Sequence, residues 1–170
     1  MIRDKIRDIP DFPKKGVVFK DITPILQDPE TLKLASVLLL EPFVGKQVDI
    51  VAGIESRGFL LGPRLATDLN AGFVPVRKPG KLPADRISET YELEYGMDIL
   101  EMHTDAIKPG DRVIIHDDLM ATGGSAKAAT ELVGRLGGII VGYSFIIELT
   151  FLNGTTKLQE GFPVHSLVKI

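Results

Sequence analysis

The stretch "RVIIHDDLMATGGSAKAATELVGRLGG", residues 112–138, places two adjacent carboxylates and a Gly-Gly turn directly after an apolar run. The apolar run predicts a strand from Arg112 to about Asp117. Ala129, Leu132, Val133 and Leu136 then recur at helical spacing, and Gly137 is placed to end that helix. A strand, a tight turn and a helix in this order form the repeating unit of parallel α/β sheets.

The flanking sequence repeats the unit. In "QVDIVAGIESRGFLLGPRLATDL" the run Val48 to Ile54 predicts a strand buried on both faces, Gly53 and Gly58 frame the turn out of it, and Leu61, Leu65 and Leu69 give a helical face. "GFVPVRK" and "GIIVGYSFIIEL" are further strand candidates. "DPETLKLASVLLLEPF" predicts a helix with Asp28 as N-cap and Pro29 at its first position, ending near Pro42. Before it, "DIPDFPKKGVVFKDITPIL" predicts an irregular cover with a short strand near Val17 to Phe19. Pro79 to Met97 is polar and rich in Pro and Gly, and predicts a long mobile loop; loops beyond about 12 to 15 residues are usually functional or disordered. The expected fold class is therefore α/β, a central, mostly parallel sheet flanked by helices, in one domain spanning residues 1–170.

Composition excludes several functions. A net charge of −3 gives no general attraction for nucleic acid or an anionic membrane, so an anionic ligand must be held by local charge. Zero cysteines exclude disulfides and thiolate metal sites and fit a reducing compartment. The N-terminus lacks the apolar core of about 7 to 15 residues that a signal peptide needs, and no apolar run approaches the roughly 18 residues of a membrane span. A cytoplasmic location is expected, without nucleic-acid or membrane partners.

At the carboxyl end of a parallel strand, "ATGGS" is suited to a phosphate. Its glycines allow close backbone approach, Thr122 and Ser125 offer hydroxyls, and a helix begins with free amides. The motif is neither a P-loop nor a dinucleotide fingerprint. Asp117 and Asp118 would repel a phosphate, so they must face something neutral or positive. A ribose meets both conditions, with hydroxyls that donate and an anomeric carbon that can develop positive charge. Spacing alone fits a solvated loop with a helix cap equally well.

Together with "ESRGF" and "VPVRKPGKLP", the stretch "VIIHDDLMATGGS" resembles the phosphoribosyl diphosphate (PRPP) signature of type I phosphoribosyltransferases. "DFPKKGVVFKDITPIL" and "SETYELEYG" are similar to motifs of the adenine phosphoribosyltransferase family, and the resemblance runs from Ile9 to about Leu152. It implies the reaction adenine plus PRPP to AMP plus diphosphate, with Mg²⁺ carried by PRPP, in a homodimer. It also implies a small hood, mainly residues 1–30, over the sheet. By the resemblance Ala121, Thr122, Gly123, Gly124 and Ser125 hold the 5′-phosphate and Asp117 and Asp118 meet the ribose. The loop of Glu55, Ser56 and Arg57 lies along the diphosphate, with Arg57 within reach of a neighbouring subunit, and Arg77, Lys78 and Lys81 add positive charge there. Val18, Phe19 and Lys20 surround the base. Glu94 and Tyr95 belong to the closing loop, with Glu94 either handling the proton at the attacking nitrogen or positioning the loop.

His116 stands where relatives usually have an apolar residue, and strand alternation points it away from the side of Asp117, which favours a core role over catalysis. Lys20 and Ser125 stand where arginine and threonine are common; Ser125 keeps the hydroxyl. His103 and His165 show no ligand-like spacing, and no protein-only metal site is legible. Two alternatives share the same cradle: a phosphoribosyltransferase for another purine base, and a non-catalytic PRPP-sensing regulator. The adenine-type N-terminus argues against the first, and the lack of a basic recognition helix against the second.

Overall fold

At the N-terminus of the computed structural model, which describes residues 1–93 and 96–170, strands β1 (Arg7–Pro10) and β2 (Val18–Asp21) pair antiparallel as a separate two-stranded sheet. Cross-strand ion pairs hold them, Arg7 to Asp21 at 2.6 Å and Lys20 to Asp8 at 2.7 Å. The short strand expected near Val17 to Phe19 is thus one arm of a hairpin. Its other arm is not legible because Arg7–Pro10 has little apolar patterning.

A short helix α1 (Thr23–Gln27) leads to α2 (Pro29–Leu40), which Asp28 caps by accepting from the Glu30 amide at 3.1 Å. Then come β3 (Ile50–Ile54), α3 (Gly58–Asp68) and β4 (Gly72–Val76). Strands β5 (Arg86–Glu92) and β6 (Met97–His103) form an antiparallel hairpin. Residues 86–92 of the segment expected as a long loop are therefore strand. Residues of β5 alternate between exposed and half-buried, a pattern that polar side chains on both faces conceal in the sequence.

The chain continues through β7 (Arg112–Met120), α4 (Gly124–Arg135), β8 (Ile139–Glu148) and β9 (Val164–Lys169). The central sheet has five strands in the order β4-β3-β7-β8-β9, every neighbouring pair parallel. Alternation along β7 divides the core. Val113 and Ile115 join the cluster under α4 with Ala129, Leu132 and Val133, while Ile114 joins Leu61 and Leu65 of α3 and Leu39 of α2 on the other face. The sheet is thus covered on both sides, as a parallel sheet requires.

Strand β7 is longer than expected and runs through the acidic pair to Met120. Pairing with β8 as far as Met120 and Glu148 keeps it extended, so Asp117 and Asp118 are part of the sheet and not of the turn after it. Gly58 allows α3 to close on this strand: a Cβ there would lie 2.9 Å from the His116 carbonyl and 3.3 Å from Asp117 Oδ1. Among the described residues no helix is long and apolar enough to cross a membrane.

Candidate active site

The carboxyl ends of β3 and β7 deliver Arg57, Asp117 and Asp118 to one place. With Tyr91, Leu93, Ala121, Thr122, Gly123 and Ser125 they line a pocket of about 230 Å³. Arg57 Nε lies 3.0 Å from Asp118 Oδ2, and its guanidinium sits 4.7 Å from the ring centre of Phe19 in β2. Arg57 therefore connects the N-terminal hairpin to the acidic pair within a single chain.

The pair is held away from water. Asp117 Oδ1 accepts from the Asp118 amide at 2.8 Å, and both side chains are buried. Burial, and next the neighbouring Asp118 charge, push the Asp117 carboxyl well above its ordinary range. Burial also pushes Asp118 up, opposed by the Arg57 guanidinium. Among the described residues Arg57 Nη1 is buried without a hydrogen-bond partner, and Asp118 Oδ2 makes the ion pair with Arg57 but no hydrogen bond. Buried polar atoms without partners mark a place where a ligand's polar groups would be satisfied.

The turn beside the pair is fixed by tertiary contact. Gly123 adopts φ +79°, and a Cβ there would strike the Gly154 carbonyl. In return, a Cβ on Gly154 would strike the Ala121 carbonyl and lie 2.8 Å from the Gly123 amide. Gly154 is a residue the sequence reading missed; Asn153 at φ +51° marks a turn there, but nothing local says that this turn supports residues 121–123. The first amides of α4 have no acceptor one turn back, so they remain available at the pocket. Gly124 faces the β5–β6 hairpin, since a Cβ on it would lie 2.8 Å from the Glu92 carbonyl. Tyr91, also missed, lines the pocket from that hairpin.

The other basic residues form a cluster around Glu55. Its buried carboxylate meets Lys81 Nζ at 2.9 Å, Arg77 Nε at 3.3 Å and the Lys78 amide at 2.7 Å. These donors overcome the effect of burial and leave the Glu55 carboxyl below its usual range. Glu55 thus organises the cations from behind. Ser56 follows Glu55 through a cis peptide bond. In the hairpin, Val18 is exposed, Phe19 packs edge-on against Phe12 at 5.1 Å, and the Lys20 ammonium is tied to Asp8. Glu94 and Tyr95 lie outside the described residues.

His116 is fully buried, with Nδ1 3.1 Å from Ser144 Oγ and Nε2 without a hydrogen-bond partner among the described residues, on the α3 side of the sheet near Gly62. Burial pushes its imidazole down to about 4. Folding holds it neutral, whereas the unfolded chain takes up a proton near pH 6.5. Its contribution to stability is complete above about pH 6.5 and is lost as pH falls toward 4, by up to about 3 kcal/mol. Urea titrations across that window should show a flatter acid limb in His116→Val, with the pH profile of turnover unchanged. A shifted turnover profile in that variant would assign His116 a part in proton transfer.

The arrangement defines a class: a parallel α/β sheet that presents an acidic pair, a phosphate-sized turn and a cation cluster at the carboxyl ends of its strands. Residues 26–154 match the phosphoribosyl transferase domain. The adenine phosphoribosyltransferase of Flavobacterium johnsoniae is 58% identical over 165 residues, 97% of this chain and 96% of that one. Among solved structures, the adenine phosphoribosyltransferase of Rhodothermus marinus superposes with a TM-score of 0.96 at 56% identity, covering 99% of this chain and 96% of that one. The Saccharomyces cerevisiae adenine phosphoribosyltransferase, complexed with an imino-altritol bisphosphate and adenine, gives a TM-score of 0.89 at 46% identity, covering 98% and 96%. The chain belongs to the adenine phosphoribosyltransferase family.

Proposed function

We propose that this protein transfers the 5-phosphoribosyl group from PRPP to N9 of adenine, giving AMP and diphosphate in purine salvage. The observation that carries the reading is the contact chain Phe19, Arg57, Asp118, which brings a base-stacking ring, a cation and an acidic pair to the pocket of the 121–125 turn. In it the turn and the α4 amides hold the 5′-phosphate, Asp117 and Asp118 meet the ribose, and residues 77–81 face the diphosphate. Adenine stacks on Phe19, with the backbone of Val18 and Lys20 reading its polar edges.

In the proposed mechanism diphosphate leaves first and the anomeric carbon becomes oxocarbenium-like before N9 attacks. The buried carboxylates stabilise that cation at low local dielectric, and Arg57 moves its charge from Asp118 toward the leaving group. Glu94 is proposed to take the proton released from N9. Mg²⁺ would ride on the oxygens of PRPP, as this ion is usually held at phosphate sites, and would supply charge neutralisation of the diphosphate. Asp117 and Asp118 would be the carboxylates available to its waters, and among the described residues no three His, Asp or Glu converge to hold a metal by themselves. A cytoplasmic homodimer is proposed with this reading. The cysteine-free sequence suits a reducing compartment, and the exposed apolar Leu34, Val37 and Val44 offer area for a second copy.

The test is product analysis with PRPP, Mg²⁺ and each purine base in turn, following nucleotide and diphosphate together. AMP with equimolar diphosphate from adenine alone is the expected result. Preference for another purine would overturn the base pocket, and PRPP binding without product would make the protein a regulator.

A further inference from the structure

Arg77 and Lys81 are held from behind by a buried carboxylate, but Lys78 is held from in front. Its Nζ lies 2.7 Å from Asp98 Oδ2, at the start of β6 on the facing hairpin. That carboxylate has its own supports: Oδ2 also accepts from the Tyr91 hydroxyl at 3.2 Å, and Oδ1 accepts from the Ile99 amide at 2.9 Å. Asp98 therefore stays in place whether or not the lysine is there. The Lys78 hydrogen bond, ahead of the other donors, keeps the Asp98 carboxyl below its usual range, so it is an anion at neutral pH. The Lys78 side chain is 49% exposed and that of Asp98 22%, so an incoming anion can reach the pair.

The geometry is that of an occupied anion site. A carboxylate oxygen 2.7 Å from an ammonium stands where a diphosphate oxygen would bind the same ammonium. Tyr91 relates this contact to the ribose side, because the residue that donates to Asp98 also lines the pocket of Asp117 and Asp118. We propose that Asp98 is a positioning residue that occupies Lys78 in the free protein as a built-in competitor, which the diphosphate group of PRPP must displace. The role rests on the reading that residues 77–81 face the diphosphate. Displacement parts Lys78 from the hairpin while the backbone bridge between Arg77 and Glu101 stays intact, so the cation is released without loss of the hairpin's register. Asp98 acts on the substrate only through Lys78.

The role predicts an effect opposite in sign to that of a structural tie. Asp98→Asn keeps the size of the side chain and its acceptor for Ile99 but no longer neutralises Lys78. In steady-state kinetics with PRPP varied at saturating adenine, Asp98→Asn should lower KM for PRPP about two- to fivefold. The inhibition constant of product diphosphate should fall by the same factor, with KM for adenine unchanged. Tyr91→Phe, which removes one support of the carboxylate, should move both constants the same way by less. In a Lys78→Ala background the Asp98→Asn effect should vanish, because the competed cation is gone. A KM for PRPP that stays level or rises in Asp98→Asn, while Lys78→Ala raises it, would reduce the pair to a structural tie and overturn the proposal. If Lys78→Ala leaves KM for PRPP unchanged, the placement of the diphosphate at residues 77–81 fails first, and the role of Asp98 with it.

Discussion

Asp118→Asn should lower turnover at saturating adenine and PRPP by about 10²- to 10³-fold, with KM for PRPP little changed. That split identifies a group whose charge is used only when the sugar becomes cationic. The carboxylate is buried at the end of β7, where water screens it weakly, so its attraction for a developing positive charge is far larger than on the surface. In the free protein Arg57 offsets part of that charge at 3.0 Å, and movement of the guanidinium toward diphosphate would leave Asp118 to the ribosyl carbon. Full turnover in Asp118→Asn would remove the acidic pair from the chemistry. Asp117→Asn should lose turnover as well, but with a gain in stability. Burial raises the Asp117 carboxyl in the folded state, so folding favours its neutral form. The stability it supports is complete below the unfolded value near 3.8 and is lost as pH rises through the raised folded value. At neutral pH, Asn in its place removes that penalty, and a thermal melt should move upward while activity falls.

Gly123→Ala should weaken PRPP binding about 10²-fold and cost about 2 to 4 kcal/mol of stability, measured by KM and by urea unfolding. Two costs combine. The residue has φ +79°, which a Cβ disfavours, and the added carbon would collide with the Gly154 carbonyl, a backbone atom that cannot rotate away. To relieve the collision, either the 121–125 turn or the 154 turn must move, and the α4 amides would leave the place proposed for the 5′-phosphate. Gly134→Ala in the same helix is the control. A Cβ there meets nothing within 4 Å, so the helix should gain about 0.5 to 1 kcal/mol with KM for PRPP unchanged. Equal behaviour of the two variants would show that the 121–123 backbone is not held by Gly154.

The division of the site follows from the range of the forces involved. The apolar run Val113 to Ile115, the Asp28 cap and the helical spacing of Ala129, Leu132, Val133 and Leu136 are local patterns, so the sequence by itself determined the strands, helices and parallel class around residues 112–138. It also placed the acidic pair next to the 121–125 turn, because a carboxylate and a glycine turn state their chemistry through residue type alone. The full length of β7 was not legible: the apolar run gives out near Asp117, and only pairing with β8 keeps the chain extended from there to Met120. The β5–β6 hairpin was hidden in the same way, since its apolar face is made by Ile87 and Tyr91 of one strand and Leu100 and Met102 of the other, which only cross-strand pairing brings together. Gly154 and Tyr91 enter the site from segments distant in the chain, and their roles exist only as contacts. The partition of the basic residues, with Glu55 behind Arg77 and Lys81 and Asp98 in front of Lys78, was likewise a tertiary decision. Charge type is written in the sequence, but which opposite charge lies within 3 to 4 Å depends on how the chain folds back on itself.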